Sequence, residues 1–131
     1  MVNPDQKVSE FKSKSGLKRI FSAFFYSIDG LKYATQHEQA FRQELVLVIV
    51  GSIIALLLPV SAFQKLVLIA VLILVLIVEL LNSAVEAVVD RVSLERHPLS
   101  KNAKDFGSAA VLLSLILVAA TWAVVLYNRF F

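Results

Sequence analysis

Apolar residues gather in three blocks: Leu45 to Leu58, Leu66 to Val78 running on into LLNSAVEAVV, and Ala109 to Tyr127. The polar connections between them, Pro59 to Lys65 and Arg91 to Ser108, are short, and Pro59 and Pro98 mark breaks. A bilayer hydrocarbon core about 30 Å thick takes roughly 20 helical residues at about 1.5 Å each. The first block therefore borrows AFRQE from its N-terminal flank, and the second runs on towards Asp90. Transmembrane helices are predicted over 38–58, 64–90 and 104–128, an extension that carries Glu79 into the membrane or to its edge. Upstream, Leu17, Ile20, Phe21, Phe24, Ile28 and Leu31 recur at helical spacing, with Lys18, Arg19, Ser22, Asp29 and Lys32 mostly elsewhere on the wheel. This pattern predicts an amphipathic helix over 16–34 lying on the membrane surface. The alternative, a soluble helix packed on its own domain, finds little other soluble domain to pack on.

The predicted fold is thus an all-α membrane protein, one domain over 16–131 with a surface helix and three transmembrane helices. Residues 1–15 are expected to be disordered. The opening MVNPDQKVSEFKSKSG has no apolar stretch and no small-residue cleavage site, so no secretory signal peptide is expected. No internal repeat is visible.

Composition agrees: 58% of the 131 residues are hydrophobic and 18% charged, and the mean hydropathy of +0.76 is too high for an ordinary soluble domain. The absence of cysteine excludes a disulfide framework, a thiolate metal site and a cysteine nucleophile. Basic residues are unevenly placed. Lys7, Lys12, Lys14, Lys18, Arg19, Lys32 and Arg42 precede the first apolar block, and Arg91, Arg96, Lys101 and Lys104 separate the second from the third. Only Lys65 and Arg129 lie at the other two ends. By the positive-inside rule, the N-terminus and the Arg91 to Ser108 segment face the cytoplasm, so the chemically capable side is the one that holds ATP. The net charge of +3 also favours anionic lipid, at about 1 kcal/mol per basic residue near the surface.

Within ELLNSAVEAVVDR, Glu79, Asn82, Ser83, Glu86 and Asp90 follow at steps of three, one, three and four. At about 100° per residue the last four all fall within roughly 60° of Glu79, so one stripe is polar and the rest is Leu, Val and Ala. An acid at the centre of a membrane helix costs about 2.5 to 3.5 kcal/mol, and the stripe must therefore face protein, water or a bound cation. The blander reading makes Asn82 and Ser83 interhelical glue, with the acids snorkelling to water. It suits the two acids poorly, because a Glu stem reaches the interface badly. Carboxylates with Asn are hard oxygen donors suited to Mg²⁺. Phosphoryl transfer needs such a metal, basic groups for the phosphates and a group to take or orient the hydroxyl. Glu38 adds a further carboxylate, and Arg19, Lys101 and Lys104 add positive charge, although single basic residues beside a membrane are ordinarily lipid anchors. With only Gly16, Gly30, Gly51 and Gly107 present, the GxxxxGK[ST] and GxGxxG loops are missing, as are the HRD and DFG sets. His37 and His97 lack metal-ligand spacing and read as solvated loop residues.

ELLNSAVEAVVDR, HPLSKNAKDFGSAAV and EQAFRQE together resemble the prokaryotic integral membrane diacylglycerol kinase family, from about Gly16 to the C-terminus, with the same span order and loop lengths. The resemblance implies a homotrimer in which each subunit carries a surface helix and three transmembrane helices, and which converts diacylglycerol to phosphatidic acid with MgATP. It implies Glu79 as catalytic base, Glu38 and Glu86 as holders of Mg²⁺, and Asn82 as their support. Arg19, Tyr26, Glu38, Glu86, Glu95, His97, Lys104 and Asp105 would contact ATP, displacing the loop reading of His97. Arg19, Ser27, Glu79 and Ser108, with the surface helix near Ser22 to Ser27, would line the lipid site. The chain departs from the best-known members at Leu57 and Pro59, where they carry Trp and Asp, and at Phe24, where they carry a small residue; these positions bear on lipid-chain fit.

Two rivals to diacylglycerol phosphorylation come from other substrates and classes. Undecaprenol kinases share the plan, but their equivalent segments read differently from LNSAVEAVVDR and KDFGSAAV. A small cation- or proton-coupled transporter would also place a Glu in the membrane, yet such proteins usually show repeats and interrupted helices, and neither is present. A purely structural subunit would not require two acids on one face. Shielding the stripe from lipid calls for neighbouring subunits, which the small residues of GSAA would let approach closely. The expected partners are lipid, ATP, the bacterial inner membrane and further copies of this chain, with no nucleic acid.

Overall fold

A computed structural model of the protein describes residues 15–131, which form four helices: α1 (Gly16–His37), α2 (Gln39–Leu57), α3 (Ala62–Val92) and α4 (Pro98–Phe130). The expected disorder of the N-terminus falls, but for Ser15, outside the described residues. The chain divides into two units, one ending at His37 and the other running from Glu38 to Phe131.

The first unit is α1, 22 residues long. Leu17, Ile20, Phe21 and Phe24 are each at least 60% exposed, an apolar stripe of the kind that lies in a membrane interface. The helix runs beyond residue 34 because its last turn closes on itself. The His37 ring stacks on Tyr33 with centroids 4.1 Å apart, and its Nδ1 lies 3.0 Å from the Tyr33 carbonyl.

In the second unit α2, α3 and α4 are each long and apolar enough to cross a membrane. After a polar first turn and a half, α2 is apolar on every side from Leu45 onward, as a helix enclosed by lipid and protein is. α3 packs against both α2 and α4 and so forms the middle layer. Its buried residues Leu68, Leu72, Val75 and Glu79 recur at steps of four, three and four, the spacing of a single helix face. Gly51 of α2 lets that face come close: a Cβ there would stand 2.7 Å from Leu72 Cδ1. Near the α2–α3 turn, Ala55, Leu68 and Val125 form a core against which Leu58, Val60, Ile69 and Trp122 pack.

The helix ends follow local chemistry. Ser61 caps α3, its Oγ accepting the Gln64 N–H at 3.1 Å while the Gln64 side chain accepts the Ser61 N–H at 2.9 Å, a reciprocal capping box. Pro98 begins α4 instead of breaking it, since a first-turn residue needs no N–H partner and proline's φ is already helical. HPLSKNAKDFGS is consequently helical from Pro98 onward, and the α3–α4 connection shrinks from the expected Arg91 to Ser108 to residues 93–97.

Candidate active site

The site grows from the buried seam of α3. Glu79 takes the next position after Leu68, Leu72 and Val75, and its side chain is only 5% exposed. The carboxylates of Glu86 and Glu38 act on it electrostatically, so the three acids named from sequence are drawn into one neighbourhood. Glu86 lies two turns further along α3 and is exposed. Glu38 is the residue preceding α2, and its carboxylate makes no capping bond to the helix, which leaves its oxygens for another partner. Asn82 Nδ2 donates to Glu86 Oε1 at 3.4 Å, while Asn82 Oδ1 is buried without a hydrogen-bond partner. Among the described residues no group of three or more His, Cys, Asp or Glu forms a ready metal cage.

Beside this acidic face, the C-terminal end of α3, the connection and the start of α4 enclose an open pocket of about 720 Å³. Glu95, His97 and Lys104 line it, with Asp90 and Lys101. Lys104 Nζ donates to Asp90 Oδ1 at 2.7 Å, tying α4 to α3, and Asp105 pairs with Lys101 one turn away on the same helix. His97 is a helix cap, a role that the solvated-loop reading misses: its Nδ1 accepts the Leu99 N–H at 3.2 Å. An accepting Nδ1 puts the proton of the neutral ring on Nε2, the usual inference from such a bond. That nitrogen then presents a donor. Ser93 Oγ accepts the Glu95 N–H at 3.0 Å and shapes the connection.

Ser108 lies on the exposed surface of α4. Arg19, Tyr26 and Ser27 belong to α1, and Ser27 Oγ donates to the Ala23 carbonyl at 2.9 Å. Sequence pattern does not single out Glu44. It sits among polar residues at the start of α2, and only packing reveals that it feels the Glu79 carboxylate and that its Oε2 is buried without a hydrogen-bond partner.

Fold and site together define a multi-pass helical membrane protein with a carboxylate-rich centre at one end of its core and, further along α3, a pocket lined by basic and acidic side chains. The model of the family described as prokaryotic diacylglycerol kinase matches residues 25–126. A diacylglycerol kinase of Pseudomonas aeruginosa is 56% identical over 118 residues, covering 90% of this chain and 96% of the relative. One from Escherichia coli is 49% identical over 116 residues, covering 88% and 95%; one from Haemophilus influenzae is 41% identical, covering 86% and 96%. The chain belongs to the prokaryotic diacylglycerol kinase family.

Proposed function

We propose that the chain is an ATP-dependent diacylglycerol kinase. It transfers the γ-phosphate of ATP to the primary hydroxyl of diacylglycerol and yields phosphatidic acid. The observation that carries this reading is a carboxylate, Glu79, sealed at the end of an apolar helix seam within electrostatic reach of two more carboxylates, with a pocket lined by basic and acidic side chains further along the same helix. A lipid hydroxyl arrives from hydrocarbon and a nucleotide from water, so their chemistry belongs at the boundary. Counting roughly 20 residues from Ala62 for the hydrocarbon core puts that boundary near Leu81. Glu79 falls just inside it and Glu86 and Asp90 outside.

In the reaction Glu79 takes the hydroxyl proton of the lipid as that oxygen bonds to the γ-phosphorus. The bond from γ-phosphorus to the β–γ bridging oxygen breaks, and ADP leaves. A kinase uses ATP with a divalent metal, and the donors present suit Mg²⁺. Glu38 and Glu86 would hold it, and the unpartnered Asn82 oxygen is a hard acceptor in the same stripe. When bound, the ion offsets phosphate charge. Lys104 adds fixed positive charge, and His97 adds its Nε2 donor. Glu95 and Asp105 would complete the nucleotide contacts. Ser108 would line the lipid side.

The protein would act as a homotrimer in a bacterial inner membrane, its N-terminus and site facing the cytoplasm, as the basic residues around the α3–α4 connection favour. Within one chain Glu79 is already covered, whereas Glu86 and Asp90 are exposed; neighbouring subunits would enclose the outer part of the stripe.

The test is transfer of label from γ-labelled ATP into lipid, run separately with diacylglycerol and undecaprenol. Label in phosphatidic acid alone supports the reading. Label only in the undecaprenol product would reassign the substrate, and label in neither would end the kinase proposal. Crosslinking in native membrane that traps nothing beyond a monomer would remove the trimer.

A further inference from the structure

We infer that Gly107 of α4 is a positioning residue for the metal site: its missing side chain is the space that keeps the Asn82 amide turned towards Glu86. The inference rests on the proposed role of Glu86 in holding the metal.

Gly107 lies where α4 packs on α3. A Cβ there would collide with Asn82 Oδ1 and stand 3.2 Å from Asn82 Cγ, closer than side chains ordinarily pack. The glycine α-hydrogen on that side therefore points at the amide oxygen, a weak C–H···O contact that fits an oxygen buried without a stronger partner. The other end of the amide is occupied as well, since Nδ2 donates to Glu86 Oε1 at 3.4 Å. Asn82 is thus held between a backbone and a carboxylate, and the direction of its amide is set by what lies on each side. With Nδ2 bonded to one carboxylate oxygen, the lone pairs left on Glu86 keep one orientation.

Any residue other than glycine at 107 would push the amide out of this space. The Asn82 side chain would swing, the bond to Glu86 would break, and the carboxylate would lose its orientation. Gly51 makes the contrast. There too a Cβ would come too close, at 2.7 Å, but the group met is the end of an apolar side chain, Leu72 Cδ1. An alanine at 51 would disturb packing; an alanine at 107 would disturb a ligand.

Partners that orient metal-binding side chains typically contribute about 10 to 100-fold to metal affinity. The experiment uses purified full-length protein in micelles, with Mn²⁺ and a non-hydrolysable ATP analogue, and reads bound Mn²⁺ by electron paramagnetic resonance alongside thermal stability. Gly107→Ala should weaken Mn²⁺ binding by about 10-fold. Asn82→Ala should do the same, and the double variant should be no worse than Asn82→Ala alone, because the alanine at 107 then has nothing to displace. Gly51→Ala should lower stability and leave Mn²⁺ affinity unchanged. If Gly107→Ala binds Mn²⁺ like the parent while Glu86→Gln does not, the inference fails. It fails also if Gly107→Ala weakens binding just as much in the Asn82→Ala background, since the damage then passes through helix packing. If Glu86→Gln itself binds Mn²⁺ like the parent, the metal assignment of Glu86 is wrong, and the inference falls with it.

Discussion

Where α2 turns into α3, polar groups are consumed locally. Ser61 and Gln64 satisfy each other's backbone, Lys65 Nζ donates to the Leu56 carbonyl at 2.6 Å, and Arg129 Nε donates to the Pro59 carbonyl at 2.6 Å. Both basic groups thereby serve carbonyls left open by the end of α2 and its turn. Ala55, Leu68 and Val125 close the core above them, and Trp122 Nε1 is the exception, buried without a partner. At the opposite end of the same helices the pattern reverses. Glu79 is buried among carboxylates, Asn82 Oδ1 and Glu44 Oε2 are buried without hydrogen-bond partners, and the Lys104–Asp90 pair stands half-exposed over an open pocket. A buried oxygen without a partner costs about 1 to 3 kcal/mol. The first end uses most of its polar groups to close its own backbone; the second leaves buried oxygens without a partner.

Substitutions at the two ends should therefore separate activity from stability. The largest effect is expected at Glu79: Glu79→Gln should lower kcat by about 10² to 10⁴-fold, the usual contribution of a general base, with KM for MgATP little changed. Steady-state phosphorylation of diacylglycerol in mixed micelles measures this, and a variant of near-normal kcat would strip Glu79 of its role. Next comes Leu68→Ala in the apolar end, expected to cost about 2 to 4 kcal/mol through the cavity it leaves. Thermal unfolding should show the loss, while the KM for MgATP of the folded fraction stays at the parent value. A raised KM would mean the two ends are coupled. Ser61→Ala, which removes half of the capping box, should cost about 1 kcal/mol in the same unfolding measurement and leave kcat intact. Smallest in stability is Asp90→Asn. The pair it breaks is 42% and 50% exposed, and exposed pairs contribute less than about 1 kcal/mol. Its effect should appear in KM for ATP instead, through Lys104; an unchanged KM would take the pair out of the nucleotide pocket.

Much of this division is written in the order of residues. Three apolar blocks of sufficient length announce the spans, and the placement of Arg91, Arg96, Lys101 and Lys104 marks the polar end. Steps of three and four put Glu79, Asn82, Ser83, Glu86 and Asp90 on one helix face. All of these follow from hydropathy and helical period, which are properties of one segment at a time. Single residues at helix ends carry a more ambiguous signal. The pattern around His97 and Pro98 suggests a loop and a break, and the same residues prove to be a cap and a first turn, because a proline can begin a helix as well as end one.

Other features arise only between segments. Periodicity places Glu79 on a polar stripe, but it cannot reveal that Glu79 also continues the buried seam of Leu68, Leu72 and Val75, since burial depends on α2 and α4 packing against that face. Glu44 carries no sequence signal, yet packing brings it within electrostatic reach of Glu79, 35 positions further along the chain. Gly107 is one small residue in GSAA until α4 sets its backbone against the Asn82 amide. The chain's own order of apolar and charged residues determined that it crosses a membrane three times and where its acids lie. Tertiary structure alone decided which acid is sealed, which oxygens are left without partners and which glycine faces the Asn82 amide, because each depends on the distance between atoms that only the packing of separate helices brings together.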